Sequence, residues 1–547
     1  MLRLLLLLIV VFIAYRIFNW TRNYSTARSY GLPILLIPVS FQGVWWMPLR
    51  PLFAWVKSLP FGLGDWYLYT TMGWPTEDGN RSLLKYGENF VLCSPSENII
   101  VTAQNSVVEQ VWTTRAPSQD GVEWYMPGSQ AKLFAFYGEN VSSTNGEAWK
   151  RHRKITGSAF NERTVEHVWD EAVSRAARLE LNSSNGARFS LAKVRSTLDV
   201  VAMQILTTVG FGQETDLVTV GPGHKLSLMD SLGFVLENIM LTILFNSLKA
   251  PDMILPKLLR KLKLSVKEFK LYMEESVLRH FQAVRSKPEG AGGRPTSLLE
   301  AMIRANETGK DEGHKLWLTD SELYGNIFVF NLAGYETTSS TFTFALSYLA
   351  AYPEIQEWVR EEIDIHYTPS KQRYTENFPK LVRTLAIMYE TLRLASHTPM
   401  FVKTPNDRTT IRITTPNSSS IEVNPGTLIG FNNYGAHLSP KWGQNPEIFD
   451  PTRFIANNRL VVPENVLYLP WMAGPRVCPG KKFSQVEFVG LMADILKSWR
   501  VETVRKEGES EEMAREKLLS VLDEKYFHVS CHLKRPGMGE VRFVRRF

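Results

Sequence analysis

The chain has 547 residues, of which 44% are apolar, 12% aromatic and 21% charged, a globular composition that excludes a mostly disordered protein. Basic residues exceed acidic ones by only seven (62 against 55), too few over this length to indicate nucleic-acid binding, although an acidic membrane or protein surface remains compatible. The three cysteines, Cys93, Cys478 and Cys531, exclude a disulfide framework, and without any Cys-x-x-Cys pair a structural zinc finger is excluded too.

Leu4 to Tyr15 is an uncharged apolar run between Arg3 and Arg16. With Ile17, Phe18 and Trp20 it reaches the roughly 20 residues that span a bilayer core. Residues 1–20 are predicted to be a single-pass membrane anchor, with Arg16 snorkelling to the interface and Trp20 in an interfacial belt. A cleaved signal peptide is the rival, because its core is also a short leucine-rich run. A small-x-small pattern stands at Ser25–Ala27, but residues 16–24 are long, basic and aromatic. Arg16, Arg22 and Arg28 follow the run and only Arg3 precedes it, which predicts a cytosolic body. Scarce cysteine agrees with a reducing compartment.

Residues 21–84 are Pro- and aromatic-rich at Pro33, Pro38, Trp45, Trp46, Pro48, Pro51 and Trp55. They read as an apolar hinge, or a second membrane-touching patch, leading into the body; an ordinary packed loop is the alternative. In the body, residues 85–547, helical periodicity dominates from Gly146 to Leu349, with a surface loop at Ser286–Pro295. Thr319-Asp-Ser-Glu322 is a capping box that opens a long apolar helix through about Ala350. Beyond residue 400, short β-like runs such as Thr409–Thr415 and Thr427–Phe431 alternate with Pro, Gly and Asn. Residues 505–517 read as a charged surface insertion, and Arg542, Arg545 and Arg546 as a solvated basic tail. The fold class is mainly α with a small β region.

The chemistry concentrates in Trp471-Met-Ala-Gly-Pro-Arg-Val-Cys-Pro-Gly480. A cysteine between glycines, with an arginine two residues before it, suits a thiolate held against a flat cofactor. Gly474 can take a positive φ in a tight turn, and Gly480 lets backbone approach a ring face. Arg476 can fork onto a carboxylate. A buried free cysteine in a turn is the bland alternative.

This stretch resembles the cysteine loop of the cytochrome P-450 family, Phe-x-x-Gly-x-Arg-x-Cys-x-Gly, with Trp471 where Phe is usual. Three further family motifs occur in order. Trp149-Lys-Arg-His-Arg153 is similar to the Trp-x-x-x-Arg helix, in which both side chains reach a heme propionate. Glu390-Thr-Leu-Arg393, with Asp450-Pro-Thr-Arg453-Phe454, is similar to the Glu-x-x-Arg and Pro-x-Arg-Phe elements. The resemblance gives Glu390, Arg393 and Arg453 a structural role, a network that locks the approach to the cysteine loop. Ala333-Gly-Tyr-Glu-Thr337-Thr338, inside the long helix, is similar to the distal oxygen helix. Lys403 stands where many relatives carry a propionate-binding arginine, and a lysine there still acts as a point charge. His397 and His437 are better read as satisfied histidines than as ligands.

The resemblance implies a triangular helical prism, after the membrane helix, that holds heme b with Cys478 as the axial ligand of its iron. Such a thiolate pushes electron density toward O–O cleavage. Gly334 is expected to widen the helix groove over the iron, Thr337 to hydrogen-bond dioxygen, and Glu336 to relay protons. Ser and Thr can instead merely back-bond to a carbonyl four residues earlier. Pro479 has no N–H for the Cys478 sulfur, whereas the indole of Trp471 could donate one. Keeping both the acid and the alcohol implies a monooxygenase that takes two electrons from NADPH through a separate cytochrome reductase, with cytochrome b5 as an optional second donor.

Lys481 and Lys482 are candidates for an acidic reductase surface, or else solvated lysines. The chain carries no dinucleotide fingerprint of its own: Gly62-Leu-Gly64 lacks the third glycine. A small apolar organic substrate is expected from aromatic candidates around 115–137 (Trp124, Tyr125, Phe134, Phe136), from 233–256 and from the stretch after Arg393. The look is closest to fungal members, many of which tailor secondary metabolites at the endoplasmic reticulum membrane. An isomerase or dehydratase that needs no reductase, a non-catalytic heme sensor and a heme-free scaffold are the rival functions.

Overall fold

The β-rich runs Asn89–Cys93 and Asn98–Thr102 fold back on each other as an antiparallel pair. The turn between them is held by Ser94, whose Oγ accepts from the backbone of Ser96 and Glu97. Side chains such as Phe90, Leu92, Ile99 and Val101 bury on this sheet, as β-branched and aromatic residues on a covered pleat should. The computed structural model describes residues 2–43, 45–113, 124–128, 134–179, 186–212, 217–245, 251, 253, 255–285, 297–311, 317–368, 373–405, 411–414, 420–424 and 426–546. The chain divides into two units. One comprises Met1–Lys132, Ser396–Glu447 and Glu464–Cys478; the other comprises Leu133–Ala395, Ile448–Pro463 and Pro479–Phe547.

The first unit is built on a six-stranded sheet in the order 34–36, 89–93, 98–102, 428–432, 400–405, 124–125. A second hairpin pairs Ile411–Thr414 with Ser420–Val423. The runs expected at 409–415 and 427–431 thus supply the strands 411–414 and 428–432, while 409, 410 and 415 lie outside the described residues.

Helix α1 covers Leu2–Ser29 and runs beyond residue 20, where the sequence placed the end of the anchor. Its Leu6–Ser29 stretch is long and apolar enough to cross a membrane. The C-terminal turns, however, dock on the sheet. Trp20 Nε1 donates to the Cys93 carbonyl at 3.2 Å and Arg16 Nη2 to the Pro38 carbonyl at 2.7 Å, while Ala27 is buried. Arg16 and Trp20 therefore tie the helix to the body. The Pro/aromatic segment is partly packed, with Trp46, Val56 and Tyr67 in a small cluster. It also exposes Leu52, Trp55, Phe61 and Leu63.

The second unit is helical. Its elements include α2 (Gly146–Gly157), α3 (Leu191–Ile205), α4 (Asp320–Ala351), α5 (Val382–Leu394) and α6 (Lys481–Ser498). Thr319 caps α4 through the expected capping box with Glu322, satisfying orphan N–H groups at its start. Helix α4 packs along α3 and its π-helical continuation Leu206–Gly210. Phe342 of α4 stacks on Phe488 of α6 with ring centres 4.9 Å apart.

Two surface expectations are corrected here. Glu511–Asp523 is a helix that buries Ala514, Leu518, Val521 and Leu522, so only part of the 505–517 segment is a solvated insertion. The basic tail belongs to Glu540–Arg545, the middle strand of a three-stranded sheet that buries Val541 and Phe543. Arg542 pairs with Glu502 and Arg546 with Asp364. The expected loop at 286–295 lies outside the described residues.

Candidate active site

The cysteine loop is a closed turn in the first unit. The Cys478 N–H donates to the Trp471 carbonyl at 2.8 Å, and Val477 N–H to the Gly474 carbonyl at 3.2 Å. Two residues take left-handed backbone, Met472 at φ 61° and Gly474 at φ 66°. Glycine does so freely, whereas methionine there is strained, as held residues at functional sites often are. Of the three cysteines only Cys478 is exposed. Burial pushes the thiol of Cys93 up to about 11 and that of Cys531 up to about 12, so neither offers a thiolate.

Lys403 is buried in the same unit. Its Nζ donates to the Val111 carbonyl at 2.9 Å and lies 5.6 Å from the Trp112 ring centre. Desolvation, and then the positive charge of Arg476, bring Lys403 from its ordinary 10.5 down to about 7. Two cations this close, one of them desolvated, suit an anionic group. An exposed thiol in the same unit as Arg476 and a buried lysine that feels its charge fits the donor set of a heme and its carboxylates. Trp124–Tyr125, expected as pocket wall, forms a short strand on Thr404–Pro405.

In the second unit every residue of α4 from Gly325 to Ala351 is buried except Ala333, Gly334 and Thr337. Spaced i, i+1 and i+4, these three share one open face. Thr337 Oγ1 donates to the Ala333 carbonyl at 2.7 Å, and Thr338 Oγ1 to Gly334 at 2.9 Å. The back-bond spends the hydroxyl hydrogen and leaves its lone pairs as acceptors. A Cβ on Gly334 would stand 2.9 Å from Leu206 Cδ2, so the bare glycine also admits a close helix neighbour. Glu336 is buried and bonds His532 through Nε2 at 2.9 Å. Burial raises its carboxyl, but His532, Arg195 and His528 together hold it below its ordinary value. Phe136 packs 6.2 Å from Phe328 of α4, measured between ring centres.

Helix α2 is fastened to the start of α4. Asn326 Nδ2 donates to His152 Nδ1 at 2.9 Å, and Arg151 pairs with Glu322. Trp149 and Arg153 are half-buried one turn apart on this helix. On α5, Arg393 and Glu390 form a buried pair, and the Asp450 N–H donates to Glu390 Oε1 at 2.8 Å. Arg453 Nε reaches the same oxygen at 3.6 Å, so the three charged residues do come together. Gly480 caps α6 at φ −83°, a conformation open to any residue. Lys481 is exposed, whereas Lys482 is half-buried with its Nζ 3.9 Å from the Phe378 ring centre. His397 and His437 are buried.

The cytochrome P-450 family model matches residues 81–529. The chain belongs to the cytochrome P-450 family. It is a P-450 monooxygenase of the heme-thiolate class, in which a cysteine thiolate holds the heme iron. Cytochrome P-450 monooxygenase 124 of Postia placenta is 27% identical over 85% of this chain and 88% of its own length. Monooxygenase ORF6 of Penicillium roqueforti is 27% identical over 90% of each chain. The phomenoic acid biosynthesis cluster monooxygenase of Leptosphaeria maculans is 24% identical over 93% of each. A P-450 crystal structure superposes with a TM-score of 0.65 at 19% identity, covering 86% of this chain and 98% of that one. That likeness establishes the fold.

Sequence reasoning missed Arg195, Asp199, Ser530 and His532, which surround the buried face of α4. No local pattern could reveal them, since His532 lies 196 residues from Glu336.

Proposed function

We propose that this P-450 inserts one oxygen atom of O2 into a small apolar organic substrate, with electrons from NADPH through a separate cytochrome reductase. Cytochrome b5 is an optional second donor. The observation that carries the reading is Cys478, the one exposed thiol, held in a loop closed by its own backbone N–H. Bound there, heme b supplies the thiolate-driven cleavage of dioxygen. Arg476 and Lys403 would hold heme carboxylate charge, a role the family resemblance also gives Trp149 and Arg153 of α2. Gly474 and Trp471 shape the loop, and Gly480 starts the helix after it.

On α4, Thr337 offers acceptor lone pairs on the open face, Gly334 keeps that face free of a side chain, and Glu336 supplies protons from behind it. Glu390, Arg393 and Arg453 hold the 448–454 segment against α5. Helix α1, with the exposed Leu52, Trp55, Phe61 and Leu63, supports a single-pass anchor at the endoplasmic reticulum with the body in the cytosol. Residues 1–20 are then the anchor proper, 21–84 an apolar collar and 85–547 the catalytic body. The fungal relatives support a place in secondary-metabolite biosynthesis.

The reading is tested with the full-length enzyme in lipid nanodiscs, NADPH, a fungal reductase and a panel of apolar metabolites under labelled dioxygen. Incorporation of one labelled atom, dependent on NADPH, is expected. In Thr337→Ala most electrons should instead reach peroxide or water. Turnover that needs neither NADPH nor reductase would assign an isomerase or dehydratase.

A further inference from the structure

The Glu336 carboxylate is bonded on one side only. Its Oε1 meets His532 Nε2 at 2.9 Å and Ser530 Oγ at 3.3 Å. Its Oε2 is buried without a hydrogen-bond partner among the described residues. A buried carboxylate oxygen left unsatisfied is costly, and such groups call for an explanation such as a functional role. Glu336 also directly precedes Thr337 on α4 and is buried where Ala333, Gly334 and Thr337 are open.

His532 has the opposite character. A quarter of its side chain is exposed (24%), and it lines a cleft of about 270 Å³ together with Arg195, Asp199, Thr343, Tyr526 and Pro536. The hairpin Lys525–Phe527/Cys531–Leu533 presents it, with Tyr526 directly opposite and stacked on the imidazole at 5.4 Å. Ser340 Oγ donates to the Cys531 carbonyl at 2.6 Å, pinning this hairpin to α4. The register between imidazole and carboxylate is therefore fixed by the fold. One hydrogen bond joins a side chain in the cleft to a buried acid on the distal helix.

We infer that His532 is the proton entry to the distal helix, taking a proton from cleft water and passing it from Nε2 to Oε1 of Glu336. The inference rests on reading Glu336 as the acid of the relay. In the transfer the imidazolium becomes neutral imidazole and the carboxylate becomes a carboxylic acid. Cleft water then recharges the ring, so charge and protons balance over the cycle. An ion pair and its neutral tautomer differ little in energy away from bulk water, which lets the proton move either way.

The groups facing this pair define its pH response. Arg195 bonds Asp199 at 2.8 Å and reaches the Glu336 backbone carbonyl at 3.4 Å. Ser339 Oγ donates to Asp199 at 2.5 Å. His528 lies 6.4 Å from His532 between ring centres, and burial lowers it toward the neutral form. Glu237 completes the set with Tyr335 and Tyr526, whose phenols burial raises further above their ordinary value. His532 is thus the imidazole that joins the cleft to the buried acid.

The test uses the full-length holoenzyme with its reductase, reading NADPH-driven oxygen consumption against pH in water and in D2O. Wild type should slow as pH rises. His532→Gln keeps a hydrogen-bond donor but cannot carry a proton. It should be slower by roughly tenfold to a hundredfold, flat with pH, with a larger solvent isotope effect. A second readout is independent of turnover: the infrared carboxylic-acid band of Glu336. It should appear at neutral pH in His532→Gln and vanish in the double variant with Glu336→Gln. A His532→Gln enzyme with the wild-type pH profile and isotope effect overturns the inference, whatever the infrared band does. If His532→Gln fails to fold, Glu336→Gln reads the same link, because it should abolish that pH dependence. If Glu336→Gln leaves that profile and the isotope effect unchanged, the relay reading itself fails and takes this inference with it.

Discussion

Glu390 and Arg393 lie one helical turn apart on α5 and meet through two parallel hydrogen bonds of 2.7 Å, with both side chains wholly removed from solvent. The guanidinium also donates to the Ile448 carbonyl at 3.3 Å, and Glu390 accepts from the Asp450 N–H. The pair thus fixes the 448–450 backbone from two sides. A buried pair is weak evidence for stability as such, because desolvation offsets the attraction. Its geometry is better explained as a device that sets one arrangement of this segment.

Removing one partner is a different matter, since it strands the other charge. Glu390→Gln or Arg393→Lys should each cost about 3–5 kcal/mol. Urea unfolding followed by circular dichroism, with heme content measured alongside, checks this. Near-wild-type stability and heme loading in both variants would show that the pair is not what holds the segment.

Lys403 gives a pH-dependent prediction. In the folded chain it titrates near 7, below its ordinary 10.5, so between those values the unfolded chain binds a proton that the native chain lacks. Stability of the heme-free protein should therefore rise with pH across that window. Lys403→Met should stabilise the heme-free protein most below pH 7, with the gain fading toward pH 10, and should weaken heme retention. Melting curves from pH 6 to 10 and heme transfer to apomyoglobin measure both. A pH-independent difference would remove burial of the ammonium from the explanation.

Glu487 on α6 is fully buried, and one of its oxygens has no hydrogen-bond partner among the described residues. Burial raises its carboxyl well above the ordinary 4.5, so the folded protein keeps it neutral. With the folded value above the unfolded one, its contribution is full below about pH 4 and is lost as pH climbs toward the folded value. Glu487→Gln removes that loss. Its unfolding free energy should match wild type at pH 5 and exceed it by about 1–3 kcal/mol at pH 8. A variant weaker than wild type at pH 8 would mean that the carboxyl is ionised and used.

What the sequence disclosed followed the range of the interactions concerned. The start of α4 was legible because a capping box and an apolar run are local signals, and the helix begins and ends within a residue or so of expectation. Glycine at position 474 was legible for the same reason, since a tight turn needs a positive φ there. Glu390, Arg393 and Arg453 carry no weight by themselves, and only the resemblance grouped them. The missed features were long-range: Trp20 on Cys93, the 540–545 strand inside a sheet, and above all His532 on Glu336. Arg16 and Trp20 carry such contacts too, because side chains that suit a lipid interface can also bond a nearby sheet edge.

The central claim is that Cys478 supplies the thiolate of a heme enzyme. The most direct test is the carbon monoxide difference spectrum of the dithionite-reduced full-length protein, wild type beside Cys478→Ala. A strongly red-shifted Soret band in wild type that is lost in the variant is the predicted result. A band of the same position and strength in Cys478→Ala, or bound heme in wild type without the shift, would contradict it.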